Sequence, residues 1–240
     1  MTNAFFKNMC VLGIAATLCL EPSFAQNGPL SLDPTSQDKS LAPKLKLPAG
    51  AACSFTQLST AEVVSKANAY LNGITSMSAD FAQIGMDGRR FKGKLYVVRP
   101  GRMRFDYDPP SPQEIVSDGT TVVVRNKRLN TQSVYSIGQT PLKFLLKERL
   151  DLNVDSKVIR GNRDCDQMTL TIEDKSTIAG TSTIRLQFAV DPIILRQWVI
   201  TDPNGNETVV QINNIDTSRR PDSKLFKIDT TRELSTGGGN

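Results

Sequence analysis

No histidine occurs anywhere in the chain. That absence removes the commonest general base, triads of the Ser-His-Asp kind and imidazole metal ligands. Cysteine is scarce too. Two of the four, Cys10 and Cys19, fall near the N-terminus, and the remaining Cys53 and Cys165 cannot build a zinc cluster. No glycine-rich loop opens a helix to cradle phosphate, and the terminal Gly-Gly-Gly-Asn is a tail. Carboxylates are plentiful, among them Asp118, Asp151, Asp155, Asp164 and Asp166, but they sit in turns or charged loops. The expectation is a protein that is not an enzyme and holds no cofactor or metal. The positive excess is only +5. Lysine and arginine are dispersed, without the basic stripe and interleaved aromatics of a nucleic-acid binder.

Beyond the N-terminus there is no apolar run long enough to span a membrane. Residues 1–25 read as a secretory signal peptide: Lys7 is the positive n-region, Met9–Leu20 the short apolar run, and Ser23-Phe24-Ala25 a small-x-small cleavage site. The mature chain is expected to start at Gln26, as a soluble exported monomer. Residues 26–55 are rich in Pro, Ser, Gly and Lys and read as a disordered leader. Residues 56–229 fit one domain, and 230–240 read as a flexible tail. In an oxidising compartment Cys53 and Cys165 are candidates for a disulfide, against two unpaired thiols that never meet. A loop this long would gain roughly 4–5 kcal/mol if the bridge were unstrained.

The domain opens with a helix. Ser59-Thr60-Ala61-Glu62 is a capping box, and Val63, Val64, Ala67 and Leu71 follow at helical spacing up to Gly73. Strands dominate from there: 77–84, 90–99, 102–107, 113–117, 120–125, 130–135, 156–160, 167–173, 183–190, 195–201 and 207–215. Asp118-Gly119 signals a hairpin. A second helix is expected in "QTPLKFLLKERL", with Thr140 as N-cap, Pro141 in the first turn, and Leu142, Leu145, Leu146 and Arg149 on one stripe. Clean alternation sets Met168, Leu170 and Ile172 against Thr169, Thr171 and Glu173. It likewise sets Ile184, Leu186, Phe188 and Val190 against Arg185 and Gln187.

An antiparallel meander of this kind has one oily and one wet face. A single long sheet curls, and the helices are too few to coat it as a layer. The expected fold is mainly β: an unclosed antiparallel half-barrel of about eleven strands, covered by two or three short helices. Its interior is either a solid core or a hollow one. Within "KLYVVRPGRMRFDYDPPS", Arg99 falls on the apolar parity of Phe91, Leu95 and Val97, a row that Met103, Phe105 and Tyr107 continue. Either its guanidinium sits at the rim of the apolar face, or the chain leaves the pleat at Pro100 and the side chain points to water.

"DFAQ", "GKLYVVRPGRMRFDY", "IVSDGTTVVV" and "TPLKFLL" occur in this order at short intervals. Together they resemble the LolA family, the periplasmic carriers of outer-membrane lipoproteins, over roughly residues 60–228. The resemblance implies a half-barrel with a helical lid and a hydrophobic cavity that accepts lipoprotein acyl chains. It implies cargo received from an ATP-driven inner-membrane transporter and delivered to an outer-membrane acceptor. Arg99 matches the family arginine that bonds lid carbonyls and governs opening. The lid corresponds to 60–72 and 140–149, with Val63, Val64, Leu142, Leu145 and Leu146 facing inward. The expected cavity lining is Phe81, Phe91, Leu95, Val97, Met103, Phe105, Tyr107, Leu170, Ile184, Leu186 and Phe188, each of which is otherwise ordinary core. With aromatics at 6% of the chain, that lining is mainly aliphatic. The leader, the cysteine pair and the glycine-rich tail are not part of the family pattern. Alternatives are a general lipid or glycolipid carrier on the same half-barrel, a module that senses lipoproteins, or an enzyme acting on a lipid, which the missing histidines oppose.

Overall fold

Alternation in the sequence becomes alternation in space. In β3 (Arg102–Tyr107), Met103, Phe105 and Tyr107 are buried while Arg102, Arg104 and Asp106 lie on the opposite, wetter face. The computed structural model describes residues 57–177 and 180–228. The signal segment 1–25, the leader 26–55 with Cys53, and the tail 230–240 lie outside the described residues. The other strands are β1 (Ser76–Ile84), β2 (Arg90–Val98), β4 (Gln113–Asp118), β5 (Thr121–Asn126), β6 (Thr131–Ser136), β7 (Lys157–Arg163), β8 (Gln167–Thr177), β9 (Gly180–Ala189), β10 (Ile194–Thr201) and β11 (Glu207–Asp216). All pair antiparallel in one sheet of order β6-β5-β4-β3-β2-β1-β11-β10-β9-β8-β7. Among the described residues β6 and β7 are the two edges, so the sheet is unclosed, as expected. The β4–β5 hairpin turns at Asp118-Gly119, where Asp118 accepts from the amides of Thr120 and Thr121 at 2.9 and 3.0 Å.

The helices are α1 (Thr60–Gly73), α2 (Lys143–Leu146) and α3 (Leu152–Asp155). α1 starts where the capping box predicts. The Glu62 amide donates to Ser59 Oγ at 3.3 Å, and the Ser59 amide to Glu62 Oε2 at 2.8 Å. Its buried stripe is Val63, Val64, Ala67 and Leu71, and it lies against β7 and β8. The approach to β7 is close. Thr60 Oγ1 exchanges 3.3 Å hydrogen bonds with the Gly161 carbonyl and amide, and a Cβ on Gly161 would stand 2.8 Å from Val63 Cβ. Gly161→Ala therefore forces α1 away from the edge strand. The expected loss is about 1–3 kcal/mol, read as a lower urea midpoint at unchanged m-value. An unaltered midpoint would show that the helix is not held at this contact.

The second helix departs from expectation. Thr140 is not an N-cap: its Oγ1 donates to Ile137 O at 2.9 Å, closing a 3-10 turn over Ile137–Gln139. The α-helical turn covers Lys143–Leu146 alone, without a side-chain cap. Lys147 is already extended, and Arg149 is exposed rather than on an inward stripe. The chain then turns Leu150 and Leu152 inward. On the outer face, Glu114 is buried between Arg104 and Arg125. Arg104 Nη1 also donates to Leu225 O at 3.2 Å, anchoring a 3-10 turn (Ser223–Phe226) that buries Phe226.

Candidate functional site

The inward rows of the strands and the inward faces of α1, α2 and α3 form one apolar cluster. Phe81, Leu95, Val97, Met103, Phe105, Tyr107, Leu170, Ile184, Leu186 and Phe188 all belong to it, as do Val63, Val64, Leu142, Leu145 and Leu146. Phe91 is half-buried at its margin, near Tyr107. Among the described residues this interior is packed, with both α1 and the segment that joins β6 to β7 turned into it. The void under that segment, lined by Phe144, Leu150, Leu152, Ile172 and Ile184 among others, measures about 20 Å³, too small for any acyl chain. A groove of about 440 Å³ lies beside Pro100, Gly101, Ile137, Lys143, Leu146 and Lys147.

Two aromatic contacts tie the helices to the sheet. Tyr70 of α1 meets Phe188 edge-on, with centroids 5.7 Å apart. Phe144 of α2 meets Trp198 of β10 at 6.1 Å and 78°. Phe81 packs edge-on at 5.0 Å against both Phe105 and Tyr107, which stack on each other at 6.4 Å, and Tyr107 donates its hydroxyl to Gln83 at 2.6 Å.

The polar contacts of α2 are few and lie at its ends. A helix leaves its last four carbonyls without internal partners, and here each finds one. Lys147 N donates to Lys143 O at 2.9 Å. Arg99 Nη2 donates to Phe144 O at 3.2 Å, Arg99 Nε to Leu145 O at 2.8 Å, and Gly101 N to Leu146 O at 2.9 Å. Arg99 thus stays on the apolar parity and turns inward rather than to water. Burial pushes its guanidinium below its ordinary value, yet it remains a cation at any physiological pH. Gly101 can present its amide because its φ is +74° and a Cβ there would strike Gly119 O at 2.5 Å. Only glycine fits that crossing of two turns.

Two further attachments were not read from the sequence. Asp174 continues the inward row of Met168, Leu170 and Ile172, is 1% exposed, and takes Lys143 Nζ at 2.9 Å. Its signal was that same alternation, one step beyond the expected end of the strand. The second attachment comes from α1. Asn72 exchanges two bonds with the backbone of Leu150, at 2.8 and 2.9 Å, and Asn68 accepts from the Leu152 amide at 3.1 Å. At the solvent side Lys147 pairs with Asp155. Burial alone would raise the Asp155 carboxyl, but Lys147, the Asp151 amide and nearby Lys143 bring it below its usual value. A depressed carboxyl stabilises above its unfolded pKa, so this clasp is present at neutral pH and fades as pH falls through the folded value.

These residues define a fold class: one unclosed antiparallel sheet whose apolar face is covered by short helices. Residues 72–229 match the family described as outer membrane lipoprotein carrier protein LolA, and the chain belongs to that family. The family's members are carriers and not enzymes. The matched range opens at the C-terminal end of α1, later than the motifs suggested. The chain is 26% identical over 170 residues to an outer-membrane lipoprotein carrier protein of Chromohalobacter salexigens, covering 67% of this chain and 80% of that one. It is 29% identical over 155 residues to one from Chromobacterium violaceum, covering 62% and 74%. A solved LolA superfamily protein from Nitrosomonas europaea aligns at 12% identity with a TM-score of 0.42, over 71% of this chain and 98% of that one.

Proposed function

We propose that the protein is a periplasmic carrier that binds the acyl chains of lipoproteins released from the inner membrane and delivers them to the outer membrane. The observation that carries this reading is the filling of the apolar interior by the 137–155 segment, docked through bonds at its ends. Leu142, Phe144, Leu145 and Leu146 are each almost fully buried. At about 2 kcal/mol per side chain, lifting α2 costs on the order of 8 kcal/mol of burial. One long acyl chain regains on the order of 10 kcal/mol at about 0.8 kcal/mol per methylene. The two terms nearly offset. Loading is favourable, yet the cargo can leave for a membrane without ATP.

Arg99 is the latch in this scheme, and Val63, Val64, Leu142, Leu145 and Leu146 form the lid. The inward residues of β1–β3, β8 and β9 form the chamber that the lid vacates. Partners are an ATP-driven transporter at the inner membrane and an acceptor at the outer one, and the signal segment 1–25 directs export. No described helix is long and apolar enough to cross a membrane. Cys165 is disulfide-bonded. With Cys10 and Cys19 in the cleaved segment, Cys53 is its proposed partner. The test is to isolate the protein from cells in which release to the outer membrane is blocked, and to identify bound material by mass. Acylated lipoproteins are expected. Free lipid alone would point to a general lipid carrier, and unacylated proteins alone would exclude both.

A further inference from the structure

Trp198 is the one tryptophan of the chain. It is fully buried, and its Nε1 has no hydrogen-bond partner among the described residues. A buried donor left unpaired is costly, and native cores usually give it a carbonyl or a water. The Phe144 ring, packed across it at 6.1 Å, offers at most a π face. A second spare donor belongs to the side chain that holds the same residue's carbonyl. Arg99 Nη1 is buried without a partner among the described residues, while Nη2 and Nε hold the carbonyls of Phe144 and Leu145. Phe144 therefore touches both groups: its ring rests on the indole and its carbonyl on the guanidinium. When it leaves, a ring-sized space opens against the indole. Hydrocarbon has nothing to offer the indole N–H. A chain joined through an ester or amide does, at the carbonyl that begins it.

We infer that Trp198 Nε1 forms a carbonyl-recognition site, uncovered when Phe144 swings out, that binds the ester or amide carbonyl at the head of an acyl chain. The site rests on the acyl-carrier reading and adds selectivity to it: the protein distinguishes acyl chains from alkyl chains of the same length. The indole gains a partner only when loaded.

The test uses the full mature chain and two lipids that differ only at the linkage, dipalmitoylglycerol and its di-O-hexadecyl ether. Each displaces a fluorescent anilinonaphthalene sulfonate from the protein. The ester is expected to displace the dye at roughly fivefold lower concentration, the worth of one ordinary hydrogen bond. Trp198→Phe keeps an aromatic floor and removes the N–H. It should bring the ester close to the ether while leaving the ether midpoint unchanged. In the unmodified protein, Trp198 emission should move to longer wavelength with the ester and not with the ether. Equal midpoints in the unmodified protein, an undiminished ester preference in Trp198→Phe, or identical emission with both lipids overturns the inference and leaves the acyl-carrier reading standing. If neither lipid displaces the dye, both fall together.

Discussion

Arg99→Leu will fold with an intact sheet and an unlatched lid. Leucine suits the apolar row of Leu95 and Val97, so the strands lose nothing. The carbonyls of Phe144 and Leu145, however, lose their donors at 3.2 and 2.8 Å. A buried carbonyl left unpaired costs about 1–3 kcal/mol, and the lid can recover that sum only by lifting toward water. The loss therefore falls on lid closure and not on global stability. Hydrogen exchange should accelerate at Phe144–Lys147 and remain slow in β1–β3. Acyl probes should bind more tightly, because the competing closed state is weaker, and transfer to acceptor membranes should slow. Exchange and probe affinity both equal to those of the unmodified protein would remove Arg99 from the gate.

Asp174→Ala should have the larger effect on stability. The carboxylate is 1% exposed, and its Lys143 partner has a side chain 23% exposed. Removing one partner of a buried pair typically costs 3–5 kcal/mol, since the other charge is stranded. Lys143 can partly reach solvent, which reduces the expected loss to about 2–3 kcal/mol. For a domain of this size that lowers the melting temperature by roughly 5–10 °C. Adding Lys143→Met to Asp174→Leu should restore most of the loss, because apolar replacement of a buried pair is often neutral. A single Asp174→Ala variant that melts with the unmodified protein would show that the pair does not hold α2.

The strands were legible because their signal is local. Met103-x-Phe105-x-Tyr107 can face only one way, and the same parity placed Arg99 inward. It would have placed Asp174 inward too, had the strand not been ended at Glu173. The lid was harder to read because its conformation is imposed from a distance. Thr140-Pro141 carries a good local start signal, yet α2 begins later, at Lys143, and its carbonyls are closed by Arg99 and Gly101. The turn that brings in Leu150 and Leu152 depends on Asn72 and Asn68, 78 and 84 residues earlier. No window of sequence contains both partners. Periodicity also marks Leu186 or Phe105 as inward without saying what stands opposite, so a filled interior and a vacant one read alike. Phe144 of α2 carries no distinguishing signal, because a lone aromatic beside a leucine stripe is an ordinary core pattern.

The two sheet edges carry a mechanical consequence. The chain from Ser136 to Lys157 runs from the end of one edge strand to the start of the other, like a drawstring across a seam. A closed barrel must break a ladder of backbone bonds to widen. Here the ten ladders can stay zipped while the seam gapes, and the slack of that tether limits how far. Girth can then follow the bulk of whatever is held inside, one chain or three, at the cost of straightening a cord and not of tearing the cloth.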